Sequence, residues 1–321
     1  MMSFPLLEVK DISVEYGVDG KTIKAVNHVN LEINKGDVVA IVGESGSGKS
    51  TLAMTFLNLI EKPGRIRNGK VNYRGAKGVV DVLRMRPVDL MRYRWKEVSM
   101  IFQSAMNSLN PVMRIEGQLR DVMIEHGTDE SLVDAKIDEK LKLAGLTTSI
   151  KKSYPHELSG GMKQRVNIAL ALACDPKLLI ADEATTALDV VVQRQILTRL
   201  LKLKQDLSLS LVFITHDISL VANIAEIINV MYAGKIVERA FAKQLFENPL
   251  HPYTEALLQS IPTLEKGTAI KGIKGTPPDL SKEIKGCPFA DRCPKMFDRC
   301  LAEPPELKNV GDNHYVSCHL Y

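Results

Sequence analysis

Residues 43–50 read GESGSGKS and fit the pattern G-x-x-x-x-G-K-[ST]. Glycines in such a loop let backbone N–H groups converge on phosphate oxygens without clashes from Cβ atoms. A helix that begins near Lys49 would add its positive N-terminal end. Lys49 would reach the β- and γ-phosphates, and the Ser50 hydroxyl would ligate Mg²⁺. The pattern therefore predicts a loop that binds a nucleotide through its phosphates.

Two carboxylates end the apolar run LLIA at residues 178–181. A carboxylate at the C-terminal edge of a parallel strand lies where such sheets bind ligands, so Asp182 suits a water-mediated Mg²⁺ contact. Glu183 would point to the opposite side of the strand end and could act as general base towards an attacking water. The pair alone is weak evidence for a nucleotide-hydrolysing site, and it becomes strong evidence in a chain that also has a phosphate loop.

Ser159, Gly160 and Gly161 come just before a helix predicted over residues 162–174. Such a helix start suits a second anion, although a serine N-cap with flexible glycines has the same pattern. Because one chain does not need two γ-phosphate sites, the natural target is the nucleotide of a second subunit.

The elements that must position these residues alternate between strands and helices. Strands are predicted at 38–42, 67–75, 96–103, 177–183 and 208–217, with helices over much of 104–159 and over 189–205. This alternation predicts an α/β fold with a mostly parallel sheet. Prolines become frequent after residue 240, where we place a domain boundary.

Composition limits the functional classes. A net charge of +4 over 321 residues does not by itself require a nucleic-acid partner. The first residues have no basic start followed by an apolar core, and no apolar run approaches the ~18–20 residues of a membrane span. We therefore expect a cytosolic chain, in which clustered cysteines indicate a metal site rather than disulfides.

The phosphate loop, the LSGG stretch and the LLIADE stretch, in that order and spacing, resemble the ABC-type ATPase cassette over residues ~6–240. The resemblance implies a mostly parallel sheet with helices, an antiparallel β subdomain and a helical subdomain at about 104–160. It also implies a head-to-tail cassette dimer, in which each ATP lies between the Lys49 loop of one subunit and the Ser159 loop of the other. That helical segment would pass the motion to membrane subunits.

Individual positions follow from the same resemblance. Tyr16 matches the aromatic that stacks on adenine, and Gln103 matches the glutamine that touches Mg²⁺ and the attacking water. Asp189 matches the loop that crosses the dimer interface, and His216 matches the switch histidine at the γ-phosphate. The predicted ATP contacts are Tyr16, Gly43, Glu44, Ser45, Gly46, Ser47, Gly48, Lys49, Ser50, Thr51, Gln103, Asp182, Ser159, Gly160, Gly161 and Asp189. The predicted Mg²⁺ contacts are Ser50, Gln103 and Asp182, and the predicted catalytic residues are Glu183, His216 and Gln103.

Two positions depart from the usual pattern. Met162 stands where many cassettes have Gln, and Ala184 stands where Pro is usual after the glutamate. Neither departure removes a charged catalytic group, so we expect a competent site.

Three further stretches narrow the resemblance to the ATPase subunits of dipeptide, oligopeptide and nickel uptake systems. They are SLNPVM at 108–113, NPLHPYTEALLQSIP at 248–262 and GTPPDL at 275–280. The resemblance implies an import motor on the cytoplasmic face of the membrane. Its partners would be a second cassette (a paralogue or a second copy), two permease subunits and, indirectly, an extracellular binding protein. Peptide and nickel cargo both remain open.

A rival hypothesis is a nucleic-acid ATPase of the repair or translation type. The basic stretch at 84–96, with Tyr93 and Trp95 interleaved, supports it. A solvated helix face is the simpler interpretation, and the chain has neither a long coiled-coil insertion nor a second fused cassette. We therefore expect no nucleic-acid ligand.

Four cysteines lie in the tail at 241–321, with the spacing C-x5-C-x6-C-x17-C. Zinc knuckles usually use C-x2–4-C pairs, whereas a 4Fe–4S cluster takes four cysteine ligands. Members of the uptake family with this pattern carry such a cluster, so the resemblance favours iron–sulfur at Cys287, Cys293, Cys300 and Cys318. A Zn²⁺ site remains the alternative, with His314 or His319 as a substitute ligand.

Overall fold

A computed structural model describes residues 5–76, 78–103, 108–186, 188–261 and 272–321. The strands in these ranges are β1 (Leu7–Val18), β2 (Lys21–Ile33), β3 (Val38–Val42), β4 (Gly64–Gly75), β5 (Gly78–Asp81), β6 (Val98–Ile101), β7 (Leu178–Asp182), β8 (Ser210–Thr215), β9 (Ile227–Tyr232), β10 (Lys235–Phe241), β11 (Lys308–Asn309) and β12 (Tyr315–Val316). The α-helices are α1 (Lys49–Phe56), α2 (Pro87–Lys96), α3 (Ile115–Glu125), α4 (Glu130–Leu143), α5 (Gly160–Ala171), α6 (Val190–Leu207), α7 (Ile218–Val221), α8 (Ala242–Glu247), α9 (Pro252–Gln259) and α10 (Asp298–Ala302). The chain divides into two compact units, Met1–Leu83 with Phe213–Tyr321, and Arg84–Val212.

The first unit contains an antiparallel sheet with the strand order β2-β1-β4-β5. Its central strand β1 pairs on both sides, so that Val9 lies opposite Leu31 in β2 and Val71 in β4. All three valine and leucine side chains are buried, which gives the sheet one apolar face. The stretch predicted as a hairpin strand at 67–75 lies within β4, which pairs with β5.

The same unit contains the strand that leads into the phosphate loop. The strands run in the order β11-β12-β10-β9-β3, and β3 is parallel to β9 with Val42 opposite Val230. Every residue of β3 is buried, as expected for a strand covered on both faces. The end of the chain joins this sheet, because β12 pairs with β10.

The second unit positions the carboxylate pair. Strands β6 and β7 are parallel, with Ile101 opposite Ala181. Gln103 and Glu183 each come two residues later, so both leave the same edge of the sheet. Helix α5 begins at Gly160, two residues earlier than predicted, because the Ser159 hydroxyl caps it and both glycines adopt helical geometry. Of the predicted helical segment 104–160, residues 104–107 lie outside the described residues.

The tail is anchored by the buried carboxylate of Glu238 in β10. Its oxygens accept from the N–H groups of Leu250 and His251 at 2.8 and 2.9 Å, and one oxygen lies 2.7 Å from Nε2 of His314. Because a buried carboxylate is tolerated only when hydrogen-bonded, this cluster fixes the start and the end of the tail on one strand.

His251 gives the tail a pH dependence. Its Nδ1 accepts from the Tyr253 N–H at 3.0 Å as the N-cap of α9, and complete burial lowers the pKa of His251 to about 3. The unfolded chain takes up a proton below pH ~6.5, whereas the folded chain does not, so stability is lost as the pH falls from ~6.5 towards ~3. At pH ~5.5 the loss from this group should be about 1.4 kcal/mol.

Urea unfolding of the wild-type chain and His251→Asn at neutral and mildly acidic pH tests this expectation. Asparagine still offers a capping oxygen but does not titrate. The variant should therefore lose less stability than the wild type on acidification. Equal losses in both chains would show that His251 is not the titrating group.

Candidate nucleotide-binding residues

The phosphate loop folds around its own lysine. The Lys49 amine donates to the carbonyls of Gly43 and Glu44 at 2.8 and 2.9 Å and to Oγ of Ser47 at 3.4 Å. The Lys49 side chain is buried. A buried cation held by a glycine-rich backbone loop can meet a polyphosphate there.

Two glycines of this loop are required by its geometry. Gly43 has φ 153° and Gly48 has φ 99°, and an added Cβ would lie 2.1 Å from the Met231 carbonyl oxygen or 2.2 Å from the Ala25 carbonyl oxygen, respectively. Gly48 is also the N-cap of α1 and has no side chain to accept from the first helical turn. This helix start is thus shaped to receive an external anion.

Two more predicted contacts lie in the first unit. Tyr16 lies half-buried in β1 opposite Gly64, where an added Cβ would come within 2.6 Å of its Cε1 atom. The missing side chain of Gly64 thus leaves room for the Tyr16 ring. His216 follows directly after β8 with an exposed side chain, and Asp217 caps α7 behind it.

The second unit brings Gln103 and Glu183 together. Nε2 of Gln103 donates to Oε2 of Glu183 at 3.0 Å, and Thr186, which the sequence did not single out, donates to the same oxygen at 3.1 Å. Asp182 is the last residue of β7 and is buried. The expected side-chain alternation stops there, because Glu183 has φ 46° and the chain turns instead of continuing the strand.

Ser159 and Asp189 have the same local role in this unit. The Ser159 hydroxyl accepts from the Met162 N–H at 3.3 Å, and the Asp189 carboxylate accepts from the Val192 N–H at 2.9 Å. Both residues are exposed N-caps, of α5 and α6. The main-chain N–H of Met162 is therefore available to this cap despite the unusual side chain at that position.

Comparison with known proteins extends over almost the whole chain. The family model "ABC transporter" matches residues 26–186, and the model "Oligopeptide/dipeptide transporter, C-terminal region" matches residues 237–300. The oligopeptide transport ATP-binding protein OppD of Bacillus subtilis is 42% identical over 98% of this chain and 88% of its own length. The chain belongs to the ABC transporter family.

A further curated relative and two solved structures are also similar to this ABC transporter chain. The dipeptide transport ATP-binding protein DppD of Caldanaerobacter subterraneus is 41% identical over 98% of this chain and 97% of its own length. A solved dimeric structure of the cassette MJ0796 bound to ADP and Pi matches with a TM-score of 0.63 and 28% identity, over 74% of this chain and 98% of the other. The structure of cbiO1 from Clostridium perfringens matches with a TM-score of 0.65 and 27% identity, over 77% and 92%. The predicted cassette fold is confirmed.

The basic stretch of this ABC transporter chain does not form an aromatic platform for nucleic-acid bases. Tyr93 is buried within α2, and Arg86 forms an ion pair with Asp89 at 2.7 Å. Trp95 has φ 72° and lies half-buried, with its ring tilted against that of His126. The structural support for the nucleic-acid hypothesis is therefore weak.

The four tail cysteines lie in one neighbourhood. The Cys287 N–H donates to the Cys300 carbonyl at 2.7 Å. Burial, together with the nearby thiols of Cys300, Cys318 and Cys293, raises the pKa of the Cys287 thiol to about 11. Within the described ranges, no group of three or more His, Cys, Asp or Glu side chains converges closely enough to hold a single metal ion. The predicted metal-binding tail, whether it holds an iron–sulfur cluster or Zn²⁺, is therefore not supported by the structure.

His314 and His319 contact oxygen atoms of other residues. Nε2 of His314 contacts the Glu238 carboxylate, and Nε2 of His319 lies 2.9 Å from the Glu303 carbonyl oxygen. With both imidazoles engaged by oxygen atoms, the alternative Cys₃His zinc site gains no support from the structure.

One contact of the phosphate loop was not predicted from the sequence. The Glu44 carboxylate forms two hydrogen bonds with Arg292, which lies in the cysteine segment of the tail. No local pattern marks this pair, since 248 residues separate its members.

Proposed function

We propose that this chain is the ATP-hydrolysing subunit of a membrane importer for dipeptides or oligopeptides. The observation that carries the proposal is that the similarity to peptide transport ATP-binding proteins includes the tail as well as the cassette. The buried lysine, the required glycines and the helix start of the phosphate loop support ATP binding.

The residues divide the work of hydrolysis. Lys49 and the loop N–H groups would bind the phosphates, and Ser50 would contribute its hydroxyl to Mg²⁺. Glu183 takes a proton from the attacking water, and its hydrogen bonds from Gln103 and Thr186 orient the carboxylate. The Mg²⁺ contacts of Asp182 and Gln103, the adenine contact of Tyr16 and the γ-phosphate contact of His216 stay predictions.

The family relationship supports a proposal for the assembly. We propose that two cassettes, copies or paralogues, associate head to tail, with the exposed caps Ser159 and Asp189 facing the partner. ATP stabilises this dimer and hydrolysis releases it, so the γ-phosphate biases a two-state element. Among the described residues, no helix has both the length and the apolar character needed to cross a membrane. We place the chain at the cytoplasmic face, bound to two permease subunits that an extracellular binding protein supplies.

An uptake experiment tests the cargo. Cells that lack this chain should lose accumulation of a labelled oligopeptide or dipeptide and regain it with the wild-type gene. Nickel uptake in the same cells is the matched comparison. Loss of nickel uptake with normal peptide uptake would replace the peptide cargo by nickel.

The number and spacing of the four tail cysteines suit a 4Fe–4S group. Each cysteine of such a cluster binds a different iron, so the four sulfur atoms surround a group and need not converge on one point. The thiols of Cys293, Cys300 and Cys318 lie near that of Cys287, which supports the proposal. We propose that these four thiolates hold the cluster, which would supply folding energy to a tail with little regular structure.

Metal analysis of anaerobically purified protein tests this assignment. The chain should be brown and contain iron and sulfide, and Cys300→Ser should remove both and make the tail more sensitive to protease. Cys174→Ser is the matched control, because Cys174 lies in the other unit and should leave the iron content unchanged. A colourless preparation with one zinc per chain would contradict the proposal.

A further inference from the structure

The guanidinium of Arg292 donates four hydrogen bonds, two of them to the phosphate loop. Nη1 and Nη2 donate to the two carboxylate oxygens of Glu44 at 2.7 and 2.9 Å. Nη1 also donates to the Tyr232 hydroxyl at 3.1 Å, and Nε donates to the Lys274 carbonyl at 2.9 Å. The Arg292 side chain is only 4% exposed. A two-point pair of this kind fixes the direction of both side chains.

Aromatic rings of the same unit enclose the pair. The Arg292 guanidinium carbon lies 5.7 Å from the Tyr232 ring centroid and 5.8 Å from that of Phe289. Tyr253, a fully buried residue of the HPYT stretch, packs its ring against both aromatic rings. Its hydroxyl accepts from the Glu44 N–H at 2.8 Å. The tail therefore contacts the backbone of the phosphate loop as well as its side chain.

Glu44 is thus held at three points. Arg292 binds its carboxylate, Tyr253 binds its N–H, and the Lys49 amine binds its carbonyl. Two of these three contacts come from the tail. Because Glu44 follows Gly43 directly, the tail fixes the first turn of the loop whose lysine would meet the phosphates.

The Arg292–Glu44 ion pair also changes the charge that the phosphate loop presents to a nucleotide. A carboxylate on a loop that binds ATP repels the polyanionic ligand, and the repulsion is strong where water is partly excluded. Arg292 compensates this charge and directs the carboxylate towards the tail. Without the guanidinium, the Glu44 carboxylate would be uncompensated in the loop.

We propose that Arg292 and Tyr253 are positioning residues of the ATP site, through which the C-terminal tail fixes the first turn of the phosphate loop and neutralises Glu44. This inference rests on the ATP binding proposed above. It assigns a role in nucleotide affinity to the HPYT stretch and to the cysteine segment that contains Arg292.

Binding and hydrolysis of MgATP by the full chain test the proposal. Arg292→Met should weaken binding of a fluorescent ATP analogue and raise KM by about tenfold, the size of a lost charge-assisted hydrogen bond, with kcat within about twofold. Arg292→Lys should give an intermediate affinity, because lysine keeps the charge but not the two-point geometry. Tyr253→Phe should raise KM by about threefold.

Two further variants separate positioning from folding. In Arg292→Met with Glu44→Gln, the affinity should recover to within about threefold of wild type, because the repelling carboxylate is gone. Arg299→Met is the matched control, since Arg299 also precedes a cysteine but pairs with the exposed Glu303. Arg299→Met should leave KM unchanged.

Each outcome decides a different claim. A wild-type chain that does not bind MgATP would overturn the proposed function and this inference with it. Normal wild-type binding with an unchanged KM in Arg292→Met would overturn the inference alone. An affinity that stays equally low in the double variant would show that Arg292 does not act through Glu44, and it would also overturn the inference.

Discussion

Glu183→Gln is expected to bind MgATP as the wild-type chain does and to hydrolyse it at least about a hundredfold more slowly. Glutamine has nearly the same shape, so its remaining oxygen can still accept from Gln103 and Thr186. An amide cannot accept the proton of the attacking water, whereas the phosphate loop in the other unit is untouched. The change should therefore lower kcat and leave nucleotide affinity in place.

Steady-state hydrolysis and the size of the complex check this result. The variant should accumulate an ATP-stabilised cassette dimer, with itself or with its paralogue, because hydrolysis no longer releases it. Glu139→Gln makes the same chemical change at an exposed glutamate of the same unit and should keep the wild-type rate. A wild-type rate in Glu183→Gln would refute its assignment as the base.

Gly48→Ala is expected to abolish measurable ATP binding, whereas Gly46→Ala should weaken it only modestly. Both glycines have positive φ, 99° and 77°, so alanine strains the backbone at either position. Only at Gly48 would the new Cβ meet a backbone oxygen, that of Ala25 at 2.2 Å, while the space at Gly46 is open. The loop must shift at Gly48, and α1, which begins at the next residue, must move with it.

Nucleotide titration and thermal unfolding of the two variants separate strain from collision. Backbone strain alone lowers the free energy of unfolding by about 1 kcal/mol, and Gly46→Ala should show this loss. The additional loss of nucleotide affinity and stability in Gly48→Ala, relative to Gly46→Ala, then measures the effect of the clash with the Ala25 carbonyl oxygen. Equal losses in both variants would mean that backbone conformation alone sets the requirement for glycine.

The residues near the phosphates could be predicted because their geometry is local. A buried strand, a glycine-rich turn and a helix start are specified by neighbouring residues, so the sequence placed Lys49 and Ser50 at the beginning of α1. The strand that ends at Asp182 was recognisable for the same reason, as a short run of buried apolar residues.

Contacts between distant segments could not be predicted in this way. Glu183 and Gln103 are 80 residues apart, and their hydrogen bond depends on the register of β6 and β7, which an isolated sequence does not state. The turn at Glu183 depends on its unusual φ, and residues with side chains seldom adopt that region.

The contacts of the tail were even less predictable from the sequence. The cysteines were visible in the sequence, and so was the HPYT stretch, but neither pattern states what it packs against. Tertiary contacts bring Arg292 to Glu44 and Glu238 to His314, and both pairs join segments that no periodicity connects. Side-chain pairs of this kind can be inferred only once the fold is known.

Reconstitution of the chain with its two permease subunits in lipid vesicles tests the central claim most directly. ATP is added on the side of the membrane that carries this chain, and a peptide-loaded binding protein is placed on the opposite side. Labelled peptide should then cross the membrane while ATP is hydrolysed. Both processes should stop together with Glu183→Gln. Peptide transport that continues with Glu183→Gln, or hydrolysis by the wild-type complex without any peptide transport, would contradict the assignment of this chain as the motor of a peptide importer.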